Sequence, residues 1–162
     1  MWPDLKKEIL VERESLNRLL SLYHELIDKC ATLPPELIEL SALSAMLHTF
    51  YTGIENLFKR VAVQIDGGLS GSDQWHSRLL ESMTETTAHR PAVISESLRN
   101  TLRGYLSFRH VFRHAYSFEL RWTKMAELVL EVERTLRLLE EEITGFAAEM
   151  DRRYQETQTS GH

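Results

Sequence analysis

A chain of 162 residues with 43% hydrophobic and 27% charged residues, and only 7 Gly and 4 Pro, can bury a single core and has the balance of a folded, helix-rich protein rather than a disordered one. Its net charge of −5 excludes a protein that coats nucleic acid by charge alone, and its one cysteine, Cys30, excludes an intrachain disulfide. No apolar run approaches the roughly 18 residues of a membrane span. Met1-Trp2-Pro3-Asp4 lacks the basic-then-apolar pattern of a signal peptide, so a cytoplasmic location and no membrane partner are expected.

The first segment sets Leu5, Ile9, Leu16, Leu20, Tyr23 and Ile27 mostly three and four residues apart, which predicts an amphipathic helix to about Lys29. Pro34-Pro35 ends it, and Pro35 suits the first turn of a second helix carrying Leu43, Met46, Leu47, Phe50, Ile54, Leu57, Phe58, Val61 and Ile65. Asp66-Gly67-Gly68-Leu69-Ser70-Gly71-Ser72 reads as a loop, after which Ser72 or Asp73 can cap a short helix bearing Trp75, Leu79, Leu80 and Met83. A second loop runs from Thr84 to Pro91, and Ser95 can cap a helix through Leu98, Leu102 and Leu106 to about Ala115. Past a break at Ser117 to Leu120, Met125, Val129, Val132, Leu136, Leu139, Ile143, Phe146 and Met150 alternate steps of four and three, close to a heptad. The pattern predicts one last helix within an antiparallel bundle or at a helix–helix dimer seam. The fold expected is all-α, about five helices, homodimeric, with a single domain over 1–155 and a polar, disordered tail over 156–162.

The charge is uneven. Between Arg99 and Lys124 six basic residues face one acid, Glu119, so a basic segment sits on an acidic body. Its centre, Ser107-Phe108-Arg109-His110-Val111-Phe112-Arg113-His114-Ala115-Tyr116, gathers two Arg, two His and a Tyr. On a helix, Arg109 shares a face with Arg113 and Tyr116, as does His110 with His114. Arg109 and His114 diverge by about 140°, so they converge only through long side chains, a distorted turn or a symmetric partner. Three readings compete. His110 and His114 have the spacing of two metal ligands on one helix, but no HExxH or Glu-x-x-His accompanies them. The cluster can equally be a set of solvated cations near a helix C-terminus. Third, Arg can neutralise a phosphorane while His moves a proton, which cuts RNA without a metal.

The spacing Arg109, four residues, His114, one residue, Tyr116 resembles the Arg-x-x-x-x-His-x-Tyr signature of HepT-type HEPN ribonuclease toxins. The likeness extends through Phe50 to Arg60, Trp75 to Leu80 and Arg90 to Ser95, covering most of residues 40 to 130. His110 stands where many members carry another polar residue such as Asn. The resemblance implies that Arg109 binds the scissile phosphate, that His114 moves the proton of the ribose 2′-hydroxyl and that Tyr116 lines the same cleft. It also implies a homodimer with facing motifs, and an MNT-type nucleotidyltransferase antitoxin of a type VII system that silences the RNA endonuclease by adding AMP to Tyr116. No metal or other cofactor is expected. Arg113 and His110 are supporting residues. Glu55, amid apolar neighbours, reads equally as orienting a motif residue or as a surface or capping carboxylate. The alternative function is a catalytically silent helical module that binds the nucleotidyltransferase.

Other residues receive no role: Cys30 as a half-buried thiol, Trp2, Trp75 and Trp122 as packing groups, and His24, His48, His76 and His89 as histidines without companions at productive spacing. Gly67, Gly68 and Gly71 form a turn without the lysine of a phosphate loop, and Glu140-Glu141-Glu142 reads as a solvated face.

Overall fold

The computed structural model describes residues 1–161, with no strand among them. Six helices follow in order: α1 (Trp2–Cys30), α2 (Leu37–Gln64), α3 (Trp75–Ser82), α4 (Glu96–His114), α5 (Trp122–Leu130) and α6 (Val132–Ser160), with one 3₁₀ turn at Ser117–Glu119 between α4 and α5. His162 of the expected tail lies outside the described residues.

The most apolar of the long helices is the central one. Leu43, Met46, Leu47, Phe50, Ile54, Leu57, Phe58 and Val61 leave α2 no solvent-facing stripe in its middle, and α1, α3, α4 and α5 all pack against it. Its start is fixed by a reciprocal capping box between Glu36 and Glu39, and its end by the Gly67-Gly68 reversal. There φ values of +88° and +135° require glycine. Helix α1 runs antiparallel to both neighbours. Glu8 and Glu12 meet Arg60 at 2.8 and 3.1 Å while Lys29 meets Glu39, and along α6 Lys6 pairs with Asp151, Arg13 with Glu140 and His24 with Glu133. Gly53 allows the close crossing of α1 over α2, since a Cβ there would stand 2.7 Å from a Leu16 methyl.

Ser95 caps α4 as the sequence indicates, accepting from the Leu98 N–H at 3.1 Å. Pro35 stands before α2 rather than in its first turn, since Glu36 is the N-cap. Three further expectations need correction. The short helix α3 is capped by Gln74, not by Ser72 or Asp73, and no side-chain hydrogen bond is made there. The single last helix is two, α5 and α6, which makes six helices rather than about five. The Leu128 carbonyl accepts from the Tyr105 hydroxyl at 2.7 Å, and the interruption at Glu131 follows directly behind it. Third, α6 continues through the polar stretch after Gln155 to Ser160.

Among the described residues no helix is long and apolar enough to cross a membrane.

Candidate active site between α3 and α4

Arg109 and Glu55 lie 54 residues apart in sequence and form one buried pair. The Arg109 side chain is 2% exposed. Its Nη1 and Nη2 donate to the two carboxylate oxygens of Glu55 at 3.1 and 2.9 Å, and Nη1 also approaches the Thr52 hydroxyl at 3.4 Å. Tyr51, one helical turn before Glu55, places its ring 4.9 Å from the guanidinium carbon. The pair exists because α2 and α4 cross here with Glu55, Tyr51 and Thr52 on the α4-facing side of α2. Burial works to raise the Glu55 carboxyl. Hydrogen bonds from Arg109 and His76 outweigh it, and the carboxyl ends below its ordinary value, ionised at neutral pH.

The third member is His76, a histidine whose sequence neighbours hold no companion at productive spacing. Its Nδ1 stands 2.7 Å from Glu55 Oε2 and 3.0 Å from Arg109 Nη2. A carboxylate oxygen can only accept, so Nδ1 carries the proton and donates it to Glu55, and Arg109 is a neighbouring cation rather than a donor to the ring. Trp75 stacks on the imidazole at 3.7 Å between centroids, with the Lys59 ammonium 4.6 Å from the Trp75 ring. Nothing in the spacing around His76 signals this. The cue lay in its position directly after Trp75, at the start of a short helix that must turn one face to α2.

Above this cluster an open cleft of about 580 Å³ runs between α3 and α4, lined by His76 and Glu81 on one side and by Arg103, Arg109, His110 and Arg113 on the other. The basic segment is partly neutralised within the fold: Arg99 and Arg103 share Glu81, and Arg109 takes Glu55. Arg113, Arg121 and Lys124 are exposed and have no ion-pair partner among the described residues.

His114 and Tyr116 fall elsewhere. His114 is exposed at the end of α4 with its ring 5.0 Å from that of His110, and neither it nor Tyr116 lines the cleft over Arg109. Tyr116 is 70% exposed and lies parallel to Phe118 at 5.4 Å. One chain thus gathers Arg109, Glu55, His76, His110 and Arg113 and leaves out His114, the last residue of α4 and about 140° from Arg109 around it, and Tyr116, which lies past the helix end. Among the described residues no three His, Cys, Asp or Glu side chains gather to hold a metal ion.

An all-helical bundle with a buried arginine–carboxylate pair under a basic helix end is the class that fold and site define. The chain belongs to the HepT-like family: the family model described as HepT-like protein matches residues 42–150. That match takes in α3, α4 and α5, nearly all of α2 and most of α6. No curated protein and no solved structure matches the chain.

Proposed function

We propose that this chain is the toxin of a type VII toxin–antitoxin pair, a cytoplasmic RNA endonuclease whose active cleft is completed by a second copy. The observation that carries the reading is the motif arginine itself, held rigidly by Glu55 at the floor of a cleft whose α4 rim is cationic. From there Arg109 offsets the charge that builds on a scissile phosphate, with Arg113 and His110 at the rim holding the neighbouring backbone. His114 takes the proton of the ribose 2′-hydroxyl as its oxygen attacks phosphorus, leaving a 2′,3′-cyclic phosphate. Because His114 does not line its own chain's cleft, the homodimer supplies it from the opposite subunit. Exposed Val111, Tyr116 and Phe118 around the end of α4 offer the apolar contact. The chemistry uses Arg and His alone, so cleavage should persist in EDTA.

The clean test is His114→Ala, because His114 is exposed and its loss should leave the fold intact. Labelled RNA should be cut by the wild type to cyclic-phosphate ends, and the variant should be slower by about 100-fold or more. Equal cleavage by both would reject the role of His114, and no cleavage by the wild type would reject the nuclease reading.

Tyr116, exposed at the helix end, is the proposed AMP acceptor for an MNT-type nucleotidyltransferase antitoxin. The added phosphodiester charge would stand beside the cleft and repel RNA. With antitoxin and ATP, intact mass should rise by one AMP or a small multiple in the wild type and stay unchanged in Tyr116→Phe. A labelled and silenced Tyr116→Phe protein would place control at another residue.

One observation favours a second reading. Arg109 is almost wholly buried and both its Nη groups are engaged, as a purely structural ion pair would be. A silent helical module that binds the nucleotidyltransferase would show no cleavage in the same assay.

A further inference from the structure

Cleavage by 2′-hydroxyl attack needs two proton-handling groups, one to take the proton from O2′ and one to give a proton to the departing O5′. The motif on α4 accounts for the first. A second imidazole already stands in the cleft of the chain that carries Arg109, oriented by a carboxylate.

We propose that His76 is the general acid of the reaction, a catalytic residue that protonates the 5′-oxygen leaving group from Nε2. Three features of its setting support the role. Glu55 accepts from Nδ1 at 2.7 Å, which fixes the ring and leaves Nε2 as the atom that exchanges protons. Nε2 makes no protein hydrogen bond among the described residues, and the side chain is 28% exposed where it lines the cleft. The guanidinium of Arg109, 3.0 Å from the same ring, puts phosphate charge and proton donor side by side. Besides Glu55 and Arg109, which contact the ring, the charged or titratable groups lining its cleft are Asp73 just before α3, Glu81 on α3, and Arg103, His110 and Arg113 on α4, and Lys59 of α2 sits over the Trp75 ring that stacks on the imidazole.

The step balances without a further reactant. His114 takes the 2′-hydroxyl proton, the O2′–P bond forms and the P–O5′ bond breaks. The electron pair passes to O5′, which takes the Nε2 proton of His76. One proton has moved from the 2′-oxygen to the 5′-oxygen, and solvent restores both rings.

This assignment rests on the nuclease reading, and the test separates the two. His76→Asn keeps an N–H for Glu55 but has no proton to pass on. It is assayed on an ordinary RNA linkage and on one with sulfur in place of the 5′-bridging oxygen, whose thiolate leaves unprotonated. The expected result is a loss of 100-fold or more on the oxygen linkage, within the 10²–10⁴ range of general acid catalysis, and a rate within a few-fold of wild type on the sulfur linkage. His114→Ala should be slow on both. The Asn variant should also lose one limb of the wild-type pH–rate profile and keep the wild-type melting curve. Equal impairment on both linkages, or no impairment on either, overturns the role of His76 while leaving the nuclease reading in place. A wild type that cuts neither linkage removes both.

Discussion

At the scale of single residues the critical quantity is the charge balance of a pair taken out of water. Removing one member of a buried ion pair commonly costs about 3–5 kcal/mol, because the other charge is left unpaired. Glu55→Gln should therefore lower stability by about 3 kcal/mol at pH 7, read as a shift in the urea midpoint. The sign with pH follows from the depressed Glu55 carboxyl. Its contribution is fully present above the ordinary carboxylate value of 4.5 and is lost as pH falls through the lower folded value. The gap between wild type and Glu55→Gln should thus close on acidification from pH 7 to below the ordinary carboxylate value of 4.5. A constant gap would mean that the pair is not what Glu55 contributes. Arg109, His110 and Arg113 were legible as candidates because the motif and its charge are local, and Glu55 because it is a carboxylate amid apolar neighbours. The link between Glu55 and Arg109 was not, since helical periodicity states which face is buried and not which helix covers it. His76 was discounted for the same reason: its companions come from α2 and α4, not from its own neighbourhood.

Between elements, the join that matters for the cleft is the one that carries the chain from α2 past α3 into α4. Arg90, 1% exposed, is its anchor. It meets both carboxylate oxygens of Asp66 at 2.8 Å and the carbonyls of Glu85, Pro91 and Ser82 at 2.8, 3.1 and 3.1 Å. A methionine could fill the volume but would leave the carboxylate and three carbonyls without their donor. Arg90→Met should cost about 3 kcal/mol and lower the melting temperature by roughly 6–12 °C, measured calorimetrically. A shift under about 2 °C would show that water replaces the guanidinium. The positions of α1 to α4 were readable from apolar spacing and turn residues, as was the Ser95 cap of α4. The split of α5 from α6 was not, because Val129 and Val132 keep the heptad rhythm straight across it. Its physical mark is the Tyr105 hydroxyl on the Leu128 carbonyl, a tertiary contact invisible to periodicity.

For the whole molecule, the question is how Arg109 and His114, about 140° apart around α4, would act on one phosphate in the proposed reaction. If the opposite subunit supplies His114, a cleft needs Arg109 from one chain and His114 from the other, and two differently disabled chains should repair one another. Arg109→Lys keeps the charge but loses the planar fork that fits Glu55, and His114→Ala removes the proton acceptor. Each protein alone should be nearly inactive on RNA. Mixed in equal amounts under conditions that let subunits exchange, half the dimers are hybrids, and each hybrid holds one cleft with both native groups. The mixture should therefore recover roughly a quarter of wild-type activity, a fraction set by symmetry alone. Sites complete within a single chain predict no recovery, since every chain in the mixture lacks one group. Recovery that tracks the fraction of hybrid dimer measured by native mass spectrometry would establish the shared cleft, and full activity from a wild-type monomer at micromolar concentration would sink it.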